Sequence, residues 1–325
     1  MLHIRCGTDI VAKLQAAGLP GEILVWQDPV SQGPTPGRWT IGEWYSGRAS
    51  FIADAYGCKR GVIRRELEEA DAALDRIHVQ DEVVLWFEHD LFDQSILVRL
   101  LSLIARRPRG RASLSLVSIA THPEVARFIG LGNLNAGQLA ALFPARRPVT
   151  DAMLEGAGRV WEKFASADPR ALGEEARGTI EGFPWLPAAL RRHLEELPWT
   201  TDGLTRTERQ ALAALEDGAA SPSECFRASV EMEEAPWLGD SMFYFVLSRL
   251  ASRTDPFVTV GARWPEDEER YGDAPAAITE TGKAALRAER SPRRDDRERW
   301  VGGVRLAGGP GECHWDPVSR SPVLA

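Results

Sequence analysis

Within the first 122 residues, four short apolar runs each end on polar groups, and helical stretches separate them. Leu2-His3-Ile4-Arg5-Cys6 leads into Gly7-Thr8-Asp9, and Glu22-Ile23-Leu24-Val25-Trp26 into Gln27-Asp28. Glu82 to Phe87 leads into Glu88-His89-Asp90, and Ser113 to Ala120 into Thr121-His122. Strands that alternate with helices predict an α/β unit with a mostly parallel sheet, because parallel neighbours need a crossover, and that crossover is right-handed. All four carboxyl ends then lie along one edge of the sheet, where open α/β sheets bind ligands.

The expected architecture is a small Rossmann-like α/β domain over residues 1–134, a helical connector over 135–202 and a winged-helix-like α+β domain over 203–325. Asp9 to Ala17 reads as an amphipathic crossover helix closed by Gly18 and Pro20. Pro29 to Gly37, with three prolines and two glycines, reads as a loop. Helices are expected over 40–55 and 60–77, and Phe92 to Ala105 is apolar enough on most sides to be buried against the sheet. The basic turn from Arg106 to Arg111 falls at the opposite edge and reads as solvated. Further on, Gln138 to Phe143, Thr150 to Ala165 and Leu186 to Glu196 are the clearest helices of the connector. In the last third, helices opening near Leu204, Ser221 and Asp240 precede an extended Pro256-Phe257-Val258-Thr259-Val260 and a helix start at Ile278 to Leu286, an order that resembles a winged helix. Glu289 to Arg299 reads as a charged hinge, and Arg299 to Leu306 with His314-Trp315-Asp316 as a terminal hairpin docked on the rest.

Four polar strand ends on one edge define the expected site. His89 is the expected general acid/base, with Asp28 and Asp90 orienting it or touching substrate, since a histidine works best beside a carboxylate that fixes its tautomer. Thr8, Asp9, Glu88, Gln94 and His122 are the expected ligand contacts, and Gln32 and Gly33 form a loop over the site. Helix capping competes for Asp9, Asp90 and Asp93, because acids stabilise helix starts. No metal is assigned: two histidines and several carboxylates converge only through the tertiary fold, and no ligand spacing such as H-E-x-x-H occurs. The chain also lacks G-x-G-x-x-G, a P-loop and a G-x-S-x-G elbow, and Cys6 lies inside a strand, so no cofactor and no covalent nucleophile are assigned. The four cysteines are widely spaced and expected to be reduced.

Charge is unevenly distributed. Residues 1–150 carry 17 Lys and Arg against 16 Asp and Glu, whereas 151–325 carry 22 against 31. The acidic second half disfavours nucleic acid as a partner, and the Asp240 to Leu250 helix shows few basic groups on its polar side. No apolar stretch approaches the ~20 residues of a membrane span, so a cytoplasmic location is expected.

His3-Ile4 with Gly7-Thr8-Asp9, Trp26-Gln27-Asp28 through Gly33-Pro34, and Trp86 to Gln94 together resemble the bacterial "domain of unknown function 1835" family. Gly203 to Gln210, Pro236 to Asp240, Ile278 to Leu286 and Arg299 to Val304 extend that resemblance over nearly the whole chain. It implies no particular activity, and this chain departs from it by Gly7-Thr8-Asp9 where members often carry Gly-Asp-Ser. The expected function is that of an enzyme or ligand-binding protein acting on a small polar or nucleotide-like molecule. The alternative is an effector-sensing transcriptional regulator that binds DNA through the winged helix, and a third reading is an adaptor whose sheet edge is filled by its own side chains.

Overall fold

Strands rich in Val, Leu and Ile with both faces apolar need cover on both sides, and the chain supplies it with helices. A computed structural model describes residues 1–289, 298–307 and 311–324. Strands β1 (Leu2–Arg5), β2 (Glu22–Val25), β3 (Glu82–Trp86) and β4 (Ser113–Val117) are parallel, and the two-residue β5 (Arg147–Pro148) pairs antiparallel with β4. Their order is β2-β1-β3-β4-β5, so the winding reverses between β1 and β3. β5 has no sequence signal, and its Pro148 is tolerated because the strand lies at the edge.

Helix α1 (Val11–Ala16) with α5 (Ala136–Leu142) covers one face of the sheet, where Val84, Trp86 and Val117 pack on Leu14, Leu131 and Leu139. The opposite face, with Ile4, Val83, Leu85 and Leu116, packs on α2 (Ile41–Tyr56), α3 (Arg60–Leu74) and α4 (Leu91–Ile104). Helix α1 starts two residues later than expected because Arg5 draws the Asp9 side chain back toward the strand. Every residue of α4 except Phe92 is buried. One of them is Arg99, whose guanidinium lies 4.2 Å from the Trp44 ring centroid and 5.0 Å from that of Trp161.

Within the connector, α5 and β5 lie on the sheet, and the later helices do not. Helices α6 (Asp151–Phe164) and α8 (Leu186–Leu194) pack on α4, one layer further out, with the short α7 (Arg170–Glu175) between them. Their apolar residues belong to the same core as the sheet, so 135–202 extends the first unit.

A second core is built by α9 (Arg206–Glu216), α10 (Pro222–Glu231) and α11 (Asp240–Ala251), followed by β6 (Val258–Val260), the short α12 (Glu268–Tyr271), β7 (Ala276–Ile278) and α13 (Glu280–Leu286). Thr205 caps α9 in a reciprocal box with Glu208, whereas Thr207 is buried and bonds Glu196. Of the charged stretch 289–299, residues 290–297 lie outside the described residues. The chain then forms two hairpins, β8 (Arg299–Val301) with β9 (Val304–Leu306) and β10 (Cys313–Asp316) with β11 (Ser321–Leu324). Both return to the first unit. Gly303 N donates to Phe164 O at 3.0 Å, and Trp315 N to Pro198 O at 2.9 Å. A Cβ at Gly303 would collide with the Ala165 carbonyl, which makes glycine a packing requirement at that turn.

His193 of α8 sits at this junction, stacked 4.2 Å from the Phe164 ring, with neither ring nitrogen hydrogen-bonded. Burial pushes its pKa down to about 3. Because the unfolded chain binds that proton near pH 6.5, His193 contributes stability that is present above pH 6.5 and lost as the pH falls toward 3, by about 1.4 kcal/mol per unit. Urea titrations between pH 7 and 4.5 should therefore show a shallower loss in His193→Leu than in the parent, and parallel losses would remove His193 from that role.

Candidate functional site

The crevice between the carboxyl ends of β1 and β3 is the topological switch point, where open sheets place ligands. Here the chain fills it with its own charges. Arg5, the last residue of β1, is buried and ion-pairs with Asp93 of α4, with Glu88 at 2.6 Å and with the half-exposed Asp9 at 3.1 Å. Glu88 N donates to Asp93 Oδ1 at 2.7 Å, and Cys6 Sγ to Asp93 Oδ2 at 3.1 Å. Asp90 is the N-cap of α4 and accepts from Asp93 N at 3.1 Å, while Gln94 Nε2 donates to the Glu88 carbonyl. Gly130 lies so close over the Glu88 carboxylate that any Cβ there would collide with it.

Glu88, Asp90 and Asp93 each place an oxygen within 4.8 Å of the others, and one guanidinium cannot balance three buried carboxylates. Burial, reinforced by the Asp93 charge, pushes Glu88 and Asp90 well above the usual carboxylate range. Burial likewise pushes the Cys6 thiol far up, which keeps it protonated and poorly nucleophilic. Carboxylate oxygens alone are the donor set of a hard cation such as Mg2+ or Ca2+, and these three are the residues that could hold one.

The expected site residues do not all meet here. Asp9, Glu88, Asp90 and Gln94 converge. His89 lies at the same strand end, but its ring is set beside Phe128 and Trp185, its Nδ1 is unpartnered, and burial lowers its pKa. Among the described residues, no carboxylate is hydrogen-bonded to its ring as a general base requires. Thr8 is exposed just before α1, and the His122 ring accepts from Glu124 N in a local turn in which Val125 N also donates to the His122 carbonyl.

Asp28 serves a different centre. The fully buried Arg48 of α2 donates from Nε to Asp28 Oδ1 at 2.7 Å, and to the carbonyls of Pro29 at 2.9 Å and Gln32 at 2.8 Å. One side chain thus shapes the loop after β2. Gln32 is fixed further by Tyr56 Oη and by its own Nε2 donating to Met242 O of α11 at 3.2 Å.

That loop borders a cavity of about 490 Å³. Its walls are Ser31 to Pro34 and Trp39, then Gly47, Ser50, Phe51 and Asp54, which form one i, i+3, i+4, i+7 face of α2. Phe245, Val246 and Arg249 of α11 also line it, and Glu196, Thr205, Glu208, Trp237 and Glu298 to Val301 complete the lining. Phe51 meets Phe245 edge-on at 5.7 Å, and Trp39 meets Trp300 at 6.5 Å between centroids. Gly33 has φ +80°, and a Cβ there would enter the Phe51 ring, while one at Gly47 would enter the Trp39 ring. Both glycines are what lets those rings lie flat. Ser31 Oγ and Trp237 Nε1 are buried in lining residues without a hydrogen-bond partner.

Sequence reasoning found Gln32 and Gly33 as a loop over a site but missed the aromatic wall and both arginines. Arg5 carried a signal, a cation inside an apolar run opposite four acids, and the α2 face carried another in its helical spacing. Trp300 and Phe245 carried none, since only the fold brings them to α2.

Two stability effects follow from the strand-edge cluster. Arg5→Leu should cost about 3–5 kcal/mol by leaving buried carboxylates unpaired. Asp90→Asn keeps the cap and removes a group whose raised folded pKa costs stability as pH rises above the unfolded value. It should therefore raise the urea midpoint at pH 7 and leave it unchanged below about pH 4. A lowered midpoint at pH 7 would mean that Asp90 is ionised and compensated in the fold.

Neither a scan against models of protein families nor a search of curated proteins finds a match to this chain, so the chemistry of the site is read from its geometry alone.

Proposed function

We propose that this protein binds a small molecule in the cavity between α2 and α11, and that the acidic cluster at the strand ends is a frame for the sheet. The observation that carries this reading is the cavity itself. A volume of about 490 Å³, walled by the Trp39, Phe51, Trp237, Phe245 and Trp300 rings together with charged and polar side chains, at the junction of two units, fits the usual form of a small-molecule site. The Rossmann-like reading of the first unit gains support from its strand order, and the cavity lies beyond the carboxyl end of β2, close to where that reading expects a ligand. Acid/base catalysis by His89 loses support, because among the described residues no carboxylate hydrogen-bonds its ring.

Three helices followed by the β6–β7 hairpin support a winged-helix-like reading of the second unit. Its third helix, α11, is turned toward the first unit: Phe245 packs on Phe51 and Tyr56, and Met242 O accepts from Gln32. A helix held in that way has little face left for a DNA groove, so the regulator reading is the weaker one.

Thermal-shift screening of a fragment library of mixed charge tests the proposal. Fragments at one hundred times their Kd should stabilise the parent by about 2.7 kcal/mol. Val246→Trp, which fills the cavity from the half-buried side of α11, should fold normally and bind the same fragments at least tenfold more weakly. Binding that survives Val246→Trp and is lost in Asp9→Ala would move the ligand to the strand edge and overturn the proposal, as would a library with no Val246-dependent fragment.

A further inference from the structure

We infer that the ligand of this cavity is an arylalkylamine, a flat aromatic ring carrying an alkylammonium group, bound as its cation with the charge at Asp54; the inference rests on the cavity being the binding site. The walls set the body of the ligand. Trp39, Trp300, Phe51 and Phe245 all line the space and offer ring faces and edges to a flat molecule, and a Cβ at Gly33 or Gly47 would displace the Phe51 or Trp39 ring. Aromatic rings also attract a cation through their negative faces, tryptophan most strongly.

The charges set its polar end. Four carboxylates and two guanidiniums line the space, and each carboxylate except Asp54 is already offset by an arginine. Most of these groups are already engaged. Glu196 bonds Arg192 and Thr207, Glu208 pairs with Arg299 at 2.9 Å, Glu298 accepts from Trp300 and Arg305, and Arg249 donates to the Glu298 carbonyl at 3.1 Å. Asp54 differs. It is exposed at the end of the α2 face that lines the cavity and makes no hydrogen bond or ion pair among the described residues. A free carboxylate beside aromatic walls is a receptor for an ammonium group, which can donate to the carboxylate while its alkyl stem lies on the rings. Phosphate or carboxylate ligands would meet repulsion from Asp54, which disfavours a nucleotide in this space.

Three probes of matched shape separate the possibilities by calorimetry on the full chain: tryptamine, the neutral tryptophol and the anionic indole-3-propionate. Tryptamine should bind at least tenfold tighter than tryptophol, with indole-3-propionate weakest, and its affinity should fall as salt rises. Asp54→Asn should weaken tryptamine about tenfold and leave tryptophol within twofold. If tryptophol or indole-3-propionate binds as tightly as tryptamine, or Asp54→Asn leaves tryptamine unchanged, the amine assignment falls while Val246-dependent binding keeps the cavity as the site. If none of the three binds but other fragments do so in a Val246-dependent manner, the amine assignment again falls alone. If no compound binds in a Val246-dependent manner, both fall together.

Discussion

Arg48 is the residue on which the ligand-sized space depends. Its guanidinium is wholly inside the protein and ties one carboxylate and the carbonyls of Pro29 and Gln32 to α2. A loop with three prolines forms few backbone bonds of its own, because each proline lacks an N–H. Arg48 supplies donors where the loop has an excess of acceptors. The result is that Ser31 to Pro34 stand in a fixed shape, and Thr35 N continues the order by bonding Gly302 O of the terminal hairpin at 3.0 Å. Loss of such a buried ion pair costs about 3–5 kcal/mol in proteins generally. Here it would also release the wall of the cavity.

Arg5 solves a related problem at the neighbouring strand end with the opposite consequence. The carboxyl ends of β1 and β3 bring together acids that cap α4 and acids that line the crevice, and their mutual repulsion needs a cation. Placing that cation on β1 closes the crevice that the topology opens. Glu88, held by Arg5, then fills the space under Gly130. A switch point filled in this way is rigid, and rigidity there holds β1, β3 and α4 in register. Space for a ligand arises instead one strand over, beyond β2, where the loop is long and the second unit stands opposite.

Local pattern accounts for the parts of the fold that sequence made legible. The four parallel strands, α2, α4, α6 and α8 follow from apolar runs and helical spacing that each segment carries by itself. Elements whose existence depends on a distant partner were not legible: β5 forms only because β4 offers a free edge, and α7 because α8 and Pro322 lie beside it. The site divides in the same way. Glu88, Asp90 and Gln94 could be placed together because they are neighbours in one strand-to-helix turn. Asp28 could not be separated from them, since nothing in a linear sequence says that a buried arginine 20 residues later takes its carboxylate. Tryptophan is ambiguous for a similar reason: Trp161 belongs to the core and Trp300 to a cavity wall, and both read alike in one dimension.

The placement of the cavity makes the two units interdependent. Gln32 reaches Met242 O, Trp264 Nε1 donates to Ala55 O at 2.7 Å, and Phe245 enters between Phe51 and Tyr56, so three contacts join α2 and its loop to the second unit. Arg192 joins the units from the other side through Glu233 at 2.7 Å. Gln32, Phe51, Ala55 and Phe245 are themselves lining residues of the cavity. A molecule that touches both walls therefore adds to a junction that already exists and has no need to order a new one. Little conformational entropy is then lost on binding, which favours a site whose affinity comes from the fit of flat rings and one charge.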